Sequence, residues 1–216
     1  MSAPEPRQLH ELLDTLGQVV QDRRVLAAIR SVPRPLFVPP ELRGRAWENT
    51  ALPIGYEQTI SQPMVVARML ELLALSGSER VLDVGTGSGY HAALLARLSG
   101  SVISIERHAE LSHRAAAALA AAGIDNVELV VGDGSVGLPE RGPFDAINVA
   151  AAGTLETLQA LAPQLATCGR IVAPLAEDPD RAQTQCLVVI RAGRDGTSSE
   201  RWEPVRFVPL VSERTD

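Results

Sequence analysis

Aromatic residues and cysteines are scarce in this sequence of 216 residues. Phe, Trp and Tyr make up 3% of it and 2 cysteines occur, so the core has to be built from Ala, Val, Leu and Ile. Cys168 and Cys186 form no Cys-x-x-Cys pair and have no histidine partners at ligand spacing, which is not the pattern of a metal site. A disulfide between them is possible but is not implied.

Basic charge and long hydrophobic runs are also lacking. The 20 Lys and Arg residues are outnumbered by 26 Asp and Glu residues, for a formal net charge of -6. This balance argues against a nucleic-acid partner, which needs a clustered basic face. No stretch approaches the roughly 18 uninterrupted apolar residues of a membrane span, and the first residues do not resemble a signal peptide. We expect a soluble, cytoplasmic protein without a membrane partner and, by default, a monomer.

Short apolar runs and helical stretches alternate through the middle of the chain. Strands are predicted at 81–84, 102–105, 127–131, 144–149 and 170–172, with helices near 90–98, 109–122 and 155–165. This alternation favours a parallel sheet with helices on both faces. Two further strands, at 185–191 and 202–208, flank glycines and serines and predict an antiparallel hairpin. The fold class is therefore α/β and Rossmann-like, with a mostly parallel sheet of seven strands and an antiparallel C-terminal hairpin.

The N-terminal part of the chain predicts helices followed by an irregular arm. Apolar positions at helical spacing predict two short helices within 7–30, with Asp22 as the N-cap of the second. Prolines between 33 and 40 exclude regular helix and favour an ordered arm to about residue 60. A helix follows from Pro63 to Leu75. The single predicted domain divides into an N-terminal helical arm and lid (1–62), a nucleotide-binding core (63–176) and a C-terminal hairpin segment (177–216).

The strongest local motif is the glycine-rich turn Gly85-Thr86-Gly87-Ser88-Gly89-Tyr90, directly after the first core strand. Glycines allow a tight bend and let a ligand pass close over the backbone. A turn between strand and helix is also where such a sheet binds a nucleotide. A dinucleotide fingerprint would place its third glycine at position 90, which is a tyrosine here. The turn therefore disfavours NAD, although alone it is equally typical of a tight strand–helix connection.

Three acidic residues accompany the ends of the strands. Glu106 follows the second core strand, where a carboxylate can accept hydrogen bonds from two ribose hydroxyls. Asp133 follows the third, where it could accept a hydrogen bond from an adenine amino group. Asp83 would lie beside the ammonium group of such a ligand. Singly, Asp83 fits a helix cap and Glu106 a solvated helix start. Together they indicate a site for a ligand with ribose and adenine but no phosphate.

A longer string upstream carries a family resemblance. It runs Leu52-Pro53-Ile54-Gly55-Tyr56-Glu57-Gln58-Thr59-Ile60-Ser61-Gln62-Pro63. The glycine turn, the Gly132-Asp133-Gly134 turn and the segment Val205-Arg206-Phe207-Val208-Pro209-Leu210 follow it in the same order as in a known family. From about Arg34 to Leu210 the chain resembles the bacterial protein-L-isoaspartate (D-aspartate) O-methyltransferases. The resemblance implies the fold of a class I methyltransferase.

The resemblance also implies an activity. The enzyme would use S-adenosylmethionine, release S-adenosylhomocysteine and need no metal. It would methylate the α-carboxylate of isoaspartyl residues in damaged proteins and peptides, and the ester would close to a succinimide that reopens partly to aspartate. Ser61 is implied as the active-site residue, with Ile54 and Val208 against the substrate backbone. The positions implied to bind the cofactor are Thr59, Ser61, Asp83, Gly85, Thr86, Gly87, Glu106, Arg107, Asp133 and Gly134.

Methylation of a carboxylate does not require a side chain that acts as a strong general base. The acceptor is already ionised at neutral pH, so positioning of the reactants and exclusion of water can supply most of the acceleration. Ser61 would orient the carboxylate by a hydrogen bond, although Ser-Gln-Pro before an apolar helix is also an ordinary helix cap. The histidines are expected at the surface or in helices, with no part in the reaction. They are His10, His91, His108 and His113.

A few positions depart from the family pattern, among them Met64, the loop after the fourth core strand, and Glu57, where a glycine is common. A carboxylate beside an anionic substrate would repel it, so we predict that Glu57 points to solvent.

Three other functions stay open at this point. They are methylation of a carboxylate on a biosynthetic peptide, cofactor binding without catalysis, and an NAD-dependent oxidoreductase.

Overall fold

A central sheet organises the protein in this computed structural model, which describes residues 6–176, 185–193 and 196–211. The helices are α1 (Arg7–Leu16), α2 (Arg23–Ser31), α3 (Pro63–Leu73), α4 (Tyr90–Leu98), α5 (Ala109–Ala121) and α6 (Leu155–Leu161). The strands are β1 (Leu52–Gly55), β2 (Gln58–Ile60), β3 (Arg80–Val84), β4 (Ser101–Glu106), β5 (Val127–Val131), β6 (Phe144–Val149), β7 (Leu165–Ala176), β8 (Gln185–Gly193) and β9 (Gly196–Val205).

The central sheet has seven strands in the order β5-β4-β3-β6-β7-β8-β9. The first five of these pair in parallel, and β8 and β9 pair antiparallel to their neighbours. The chain leaves β3 toward β4 on one side and returns to β6 on the other. A crevice at the carboxyl ends of the strands is expected at such a reversal. The predicted fold class is confirmed.

Helix starts follow the predicted signals. The side chain of Asp22 accepts a hydrogen bond from the backbone N–H of Arg24 at 2.8 Å, so it caps α2 as predicted. Pro63 occupies the first turn of α3, where its missing N–H leaves no helix bond unmade. Residues of the arm, such as Phe37 and Trp47, are buried in the same apolar cluster as α3 and α4. The arm is therefore packed as part of the core.

Several predicted boundaries are wrong. The fifth strand is predicted at 170–172, but β7 starts at Leu165. Its early residues carry no apolar pattern, because they are partly exposed and Cys168, whose φ is 66°, interrupts them. The last strand was expected at 202–208, but β9 runs from 196 to 205. Its first half is exposed and polar, so no apolar pattern marks it. The helix expected to reach 165 ends at Leu161, ahead of a 3-10 turn that contains Pro163.

The arm contains structure that periodicity did not predict. Two 3-10 turns, at Arg34–Phe37 and Pro40–Arg45, accommodate its prolines. The antiparallel hairpin β1–β2 follows, and its strands of four and three residues are too short to produce a sequence signal. Parts of the predicted segments 1–62 and 177–216 lie outside the described residues, namely 1–5, 177–184, 194–195 and 212–216.

Two negative findings concern the described ranges alone. None of their helices combines the length and apolar character needed to cross a bilayer. Cys168 is exposed and Cys186 is buried, and no disulfide joins them, so the bond that the sequence left open is not formed.

Candidate active site

The glycine turn after β3 forms one wall of a cavity at the carboxyl ends of the parallel strands. Gly85, Gly87 and Gly89 have φ angles of 92°, 53° and 85°, a conformation that would be strained with a side chain. The N–H groups of Gly85 and Thr86 donate to the carbonyl of Ile105 at 2.9 and 3.2 Å, which ties the turn to β4. This strand-end cavity has a volume of about 330 Å³.

Glu106, the last residue of β4, lines the strand-end cavity together with Arg107 and His108. Its carboxylate accepts hydrogen bonds from the backbone N–H of Gly87 at 2.8 Å and of His108 at 3.0 Å. The two bonds use different oxygens, and each carboxylate oxygen can accept a further bond. The carboxylate is therefore held rigidly and can still bind the hydroxyls of a sugar.

Asp133 and Gly134 follow β5 and occupy different places. Oδ1 of Asp133 accepts a hydrogen bond from the N–H of Ser135 at 2.8 Å and so caps a short 3-10 turn. Gly134 belongs to the cavity wall, whereas Asp133 does not. A Cβ at Gly134 would lie 2.7 Å from Cγ1 of Val84. Any side chain at Gly134 would therefore clash with the sheet. The turn after β5 can border the cavity at this point because the residue there is a glycine.

Asp83 lies behind the glycine turn rather than in the cavity wall. Its buried carboxylate accepts hydrogen bonds from Oγ of Ser104 and Nδ2 of Asn148, both at 2.7 Å. Burial raises the pKa of Asp83 to about 6, against the opposing effect of these hydrogen bonds. The sequence placed Asp83 beside the ammonium group of a ligand. In the structure it supports the turn through Ser104, whose hydroxyl lies 2.6 Å from that of Thr86.

His91 continues this buried polar chain. It lies in α4, as the sequence allowed, but it is buried and borders the strand-end cavity. Its Nδ1 is 3.3 Å from Nδ2 of Asn148, and burial lowers the pKa of His91 to about 3. Because an amide nitrogen can only donate, the neutral ring accepts at Nδ1 and carries its proton on Nε2. Helical spacing could not reveal which face of α4 meets the sheet, so sequence reasoning missed this contact.

The arm supplies the opposite wall of the strand-end cavity. Thr59, in β2, and Ser61, just after it, line this cavity and also a neighbouring outer cavity of about 510 Å³. Ser61 thus lies between the two cavities. Gln62 is the N-cap of α3 and makes no side-chain capping bond, so the helix-cap interpretation of Ser61 is wrong. Within the described ranges, no hydrogen bond holds the Ser61 hydroxyl.

The two residues expected to contact the substrate backbone are separated. Val208 lines both the strand-end and the outer cavity, and its carbonyl accepts a hydrogen bond from the N–H of Ala152 at 2.8 Å. Ile54 is buried in β1 and borders a third cavity, of about 460 Å³, but neither of the two cavities that Ser61 lines. The structure brings Val208, and not Ile54, next to Ser61.

The turn of the β1–β2 hairpin stands at the mouth of the strand-end cavity. Tyr56 and Glu57 have φ angles of 54° and 58°, the positive values of a two-residue type I′ turn. The ring of Tyr56 stacks on His108, with centroids 5.2 Å apart, and Arg114 donates to the carbonyl of Ile54 at 2.7 Å. Glu57 is exposed, as predicted, although it borders the cavity mouth.

The strand-end cavity fits an adenosine derivative with an amino-acid tail. Its volume is within the usual range for small-molecule sites. Glu106 offers a fixed carboxylate for ribose, and Gly87 and Gly134 let a ligand approach the backbone closely. Within the described ranges, no group of three or more His, Cys, Asp or Glu side chains could hold a metal ion.

Fold and site together define a class I methyltransferase that depends on S-adenosylmethionine. Comparison with known proteins specifies it further. The model of the protein-L-isoaspartate(D-aspartate) O-methyltransferase family matches residues 7–215, and the chain belongs to that family. It is 48% identical over 212 residues to protein-L-isoaspartate O-methyltransferase 1 of Rhodopseudomonas palustris, an alignment that covers 98% of this chain and 84% of that one.

Solved structures agree with this assignment. One protein-L-isoaspartate O-methyltransferase superposes with a TM-score of 0.83 at 26% identity, over 94% of this chain and 66% of that chain. A second, from Plasmodium falciparum, has a TM-score of 0.77 at 28% identity, over 93% of this chain and 97% of that one. The Plasmodium protein was crystallised in complex with S-adenosyl-L-homocysteine.

Proposed function

We propose that this enzyme methylates the α-carboxylate of L-isoaspartyl residues in damaged proteins and peptides, with Ser61 presenting that carboxylate. The observation that carries the proposal is the place of Ser61 between the strand-end cavity and the outer cavity. A hydroxyl at that junction can contact a group that enters from one cavity and reacts with a ligand held in the other.

The strand-end cavity is the proposed cofactor site. Glu106 would accept hydrogen bonds from the ribose hydroxyls, and Gly85, Thr86 and Gly87 would support the amino-acid end. Gly134 would allow the adenine to lie close to the sheet. When bound, S-adenosylmethionine supplies a methyl group on a sulfonium, which a carboxylate oxygen can displace in line. Asp83 and Asp133 would act indirectly, by holding the glycine turn and the turn after β5.

The outer cavity is the proposed substrate site. Thr59, Ser61 and Val208 border both cavities, so they can define the passage between them. The free hydroxyl of Ser61 would donate a hydrogen bond to the substrate carboxylate and hold one of its oxygens toward the methyl group. Such orientation acts by proximity and needs no covalent bond to the enzyme.

The surroundings of the passage suit an acceptor that is already ionised. His91, which is buried and borders the strand-end cavity, is neutral at neutral pH because burial lowers its pKa to about 3, and no proton has to be removed from a carboxylate at that pH. The side chains around Ser61 therefore exclude water and position the reactants. A neutral acceptor such as an alcohol would need a base, and the described residues that line the outer cavity include no Asp, Glu or His.

A paired peptide assay tests the proposal. The enzyme and radiolabelled S-adenosylmethionine are incubated with an isoaspartyl peptide and, separately, with the same sequence containing normal aspartate. We expect methyl transfer to the isoaspartyl peptide alone. Equal transfer to both peptides, or none to either, would overturn the assigned substrate.

Substitution of Ser61 tests the role of its hydroxyl. Ser61→Ala should lower kcat about 10- to 100-fold, the effect of losing one hydrogen bond to a charged group. Affinity for S-adenosylhomocysteine should change less than about twofold, because the cofactor contacts proposed above are otherwise intact. Ser31→Ala, which removes a hydroxyl bonded within α2, is the matched control. An unchanged kcat in Ser61→Ala would exclude the proposed role.

A further inference from the structure

Arg34 is a fully buried arginine at the start of the arm. Its Nε donates to the carbonyl of Ala46 at 2.7 Å, and its Nη2 donates to the carbonyls of Ser61 at 3.0 Å and Thr50 at 3.4 Å. One guanidinium therefore joins three points of the arm that are distant in sequence. One of these points is the backbone of Ser61 itself.

No carboxylate neutralises this cation in the part of the chain that the structure describes. The guanidinium lies over the ring of Tyr90, 5.0 Å from its centroid, and Nη1 has no hydrogen-bond partner. Burial raises the pKa of Tyr90 to about 12, so the phenol stays neutral. Burial also lowers the pKa of Arg34 to about 10, which still leaves it charged at neutral pH. A buried charge without a counter-charge is strongly unfavourable unless an anion arrives nearby.

The two residues that flank the guanidinium both face the site. Ser61 borders the strand-end and outer cavities, and Tyr90 borders the strand-end cavity. Arg34 itself lines neither of these cavities. It therefore acts on a ligand indirectly, through the position of Ser61 and through its own charge. Hydrogen bonds to carbonyl groups leave that charge in place, and in a buried setting it is poorly screened by solvent.

We propose that Arg34 is a positioning residue that fixes Ser61 and whose unpaired positive charge makes the site prefer a carboxylate to a neutral group. This inference rests on the proposed function, since it requires the substrate carboxylate to lie beside Ser61. It adds a source of specificity that the contacts of Ser61 alone do not provide. A serine hydroxyl can donate to an amide as well as to a carboxylate, although more weakly, whereas a buried cation adds discrimination between them by charge.

The test compares two peptides on the full chain loaded with S-adenosylhomocysteine, so that no turnover occurs. One carries the isoaspartyl α-carboxylate, and the other carries the corresponding neutral carboxamide. Calorimetry gives the dissociation constant of each. We expect the wild type to bind the carboxylate peptide at least about tenfold more tightly, the scale of one charge-assisted interaction. Equal affinities in an enzyme that methylates the isoaspartyl peptide overturn this inference and leave the proposed function standing.

Two variants separate charge from structure. Arg34→Met removes the charge and should reduce the preference to about threefold or less, with kcat also lowered. Arg34→Lys keeps the charge but cannot bond three carbonyls with the same geometry, so it should lower kcat while retaining the preference. A merely structural role would weaken both peptides equally and leave their ratio unchanged. That result in folded Arg34→Met overturns the inference.

Arg80→Met is the matched control. The guanidinium of Arg80 also lies over an aromatic ring, 4.8 Å from the centroid of Phe144, and also donates to backbone carbonyls, including that of Pro143 at 3.2 Å. It is remote from Ser61, so Arg80→Met should retain the carboxylate preference. Loss of the preference in this control overturns the inference. If Arg34→Met does not fold, Arg34→Lys tests the inference by itself. Loss of the carboxylate preference in this variant, which keeps the positive charge, would overturn the inference.

Discussion

The two walls of the active site are built in different ways. The sheet wall takes its residues from strand ends and is held by backbone hydrogen bonds, such as those from Gly85 and Thr86 to Ile105. The arm wall has only short turns and one small hairpin. Side chains that reach across the chain hold it, including Arg34 beneath Ser61 and Arg114 on Ile54. The arm wall therefore depends on individual arginine side chains, whereas the glycine turn of the sheet wall is tied to β4 through its backbone.

The difference suggests a division of labour between the walls. The sheet wall forms the proposed cofactor site, whereas the arm wall contributes the passage to the proposed substrate site. Changes in the sheet wall should therefore alter cofactor affinity or the stability of the sheet. Changes in the arm should alter peptide binding and transfer. The buried ionisable groups of the two walls differ too. Arg34 stays ionised throughout the physiological range, whereas Asp83 becomes neutral below its pKa of about 6 and His91 is neutral above its pKa of about 3.

The largest expected effect is on the pH dependence of stability, which should arise in the sheet wall. The pKa of Asp83 rises from 3.8 to about 6 on folding, so the folded protein holds this proton more tightly and the free energy of unfolding falls as pH rises from about 4 to about 6. The pKa of His91 falls from 6.5 to about 3, so its contribution to the free energy of unfolding rises with pH over the same interval. The two contributions oppose each other in the wild type.

Single variants should separate these contributions. Asp83→Asn leaves the His91 contribution, so its free energy of unfolding should rise by about 2 kcal/mol more than that of the wild type between pH 4 and pH 6, and the profiles of the two single variants should diverge by about 4 kcal/mol. His91→Gln should show a fall of similar size over that interval. Urea unfolding at three pH values measures both, with the exposed Asp125→Asn as a control for loss of one negative charge. Parallel profiles in the two variants would mean that these groups are not opposed.

Glu106→Ala should have the next largest effect, on cofactor affinity. The substitution removes the carboxylate proposed to bind ribose and also the acceptor that holds the N–H of Gly87. The dissociation constant of S-adenosylhomocysteine should rise about 100-fold, as expected for the loss of charge-assisted hydrogen bonds. Calorimetry measures it, with the exposed Glu110→Ala as control. A change below about threefold would mean that the ribose does not bind Glu106.

The same division separates what the sequence predicted from what it could not. Strand periodicity and the glycine turn located Gly85, Gly87, Glu106 and Gly134 in one cavity wall, because parallel strands end at one edge of a sheet. Burial of Asp83 could not be predicted, since it depends on Ser104 and Asn148 from two neighbouring strands.

The arm wall illustrates a different limit. Its residues were found only through a family resemblance, because β1 and β2 are too short to show a period. Local sequence left Ser61 between a cap and an active-site residue, and only the start of α3 at Pro63, with Gln62 as its N-cap, excludes the cap. The family resemblance begins at Arg34, but no local pattern predicted its burial, since a buried arginine without a carboxylate partner is unusual and its partners are backbone carbonyls.

Arg114→Ala probes the arm wall with a smaller effect. Removing the guanidinium breaks its hydrogen bond to Ile54 and its contact with the ring of Tyr56, 5.9 Å away. The hairpin should become less fixed, and KM for the isoaspartyl peptide should rise about fivefold, the equivalent of one hydrogen bond. Steady-state kinetics measure it, and Arg97→Ala on the exposed side of α4 is the control. A larger effect on cofactor affinity than on KM would contradict the division between the walls.

The smallest effect concerns the hairpin turn, where two residues with side chains adopt left-handed backbone. Such a conformation costs an L-residue about 1–2 kcal/mol, and glycine avoids it while losing about 0.5–1 kcal/mol through the greater freedom of its unfolded chain. Glu57→Gly should therefore raise the free energy of unfolding by about 0.5 kcal/mol. Tyr56→Gly relieves the same strain but removes the ring that stacks on His108, so we expect no gain from it. Urea unfolding of both variants tests this, and equal gains would mean that the Tyr56 ring does not stabilise the mouth of the cavity.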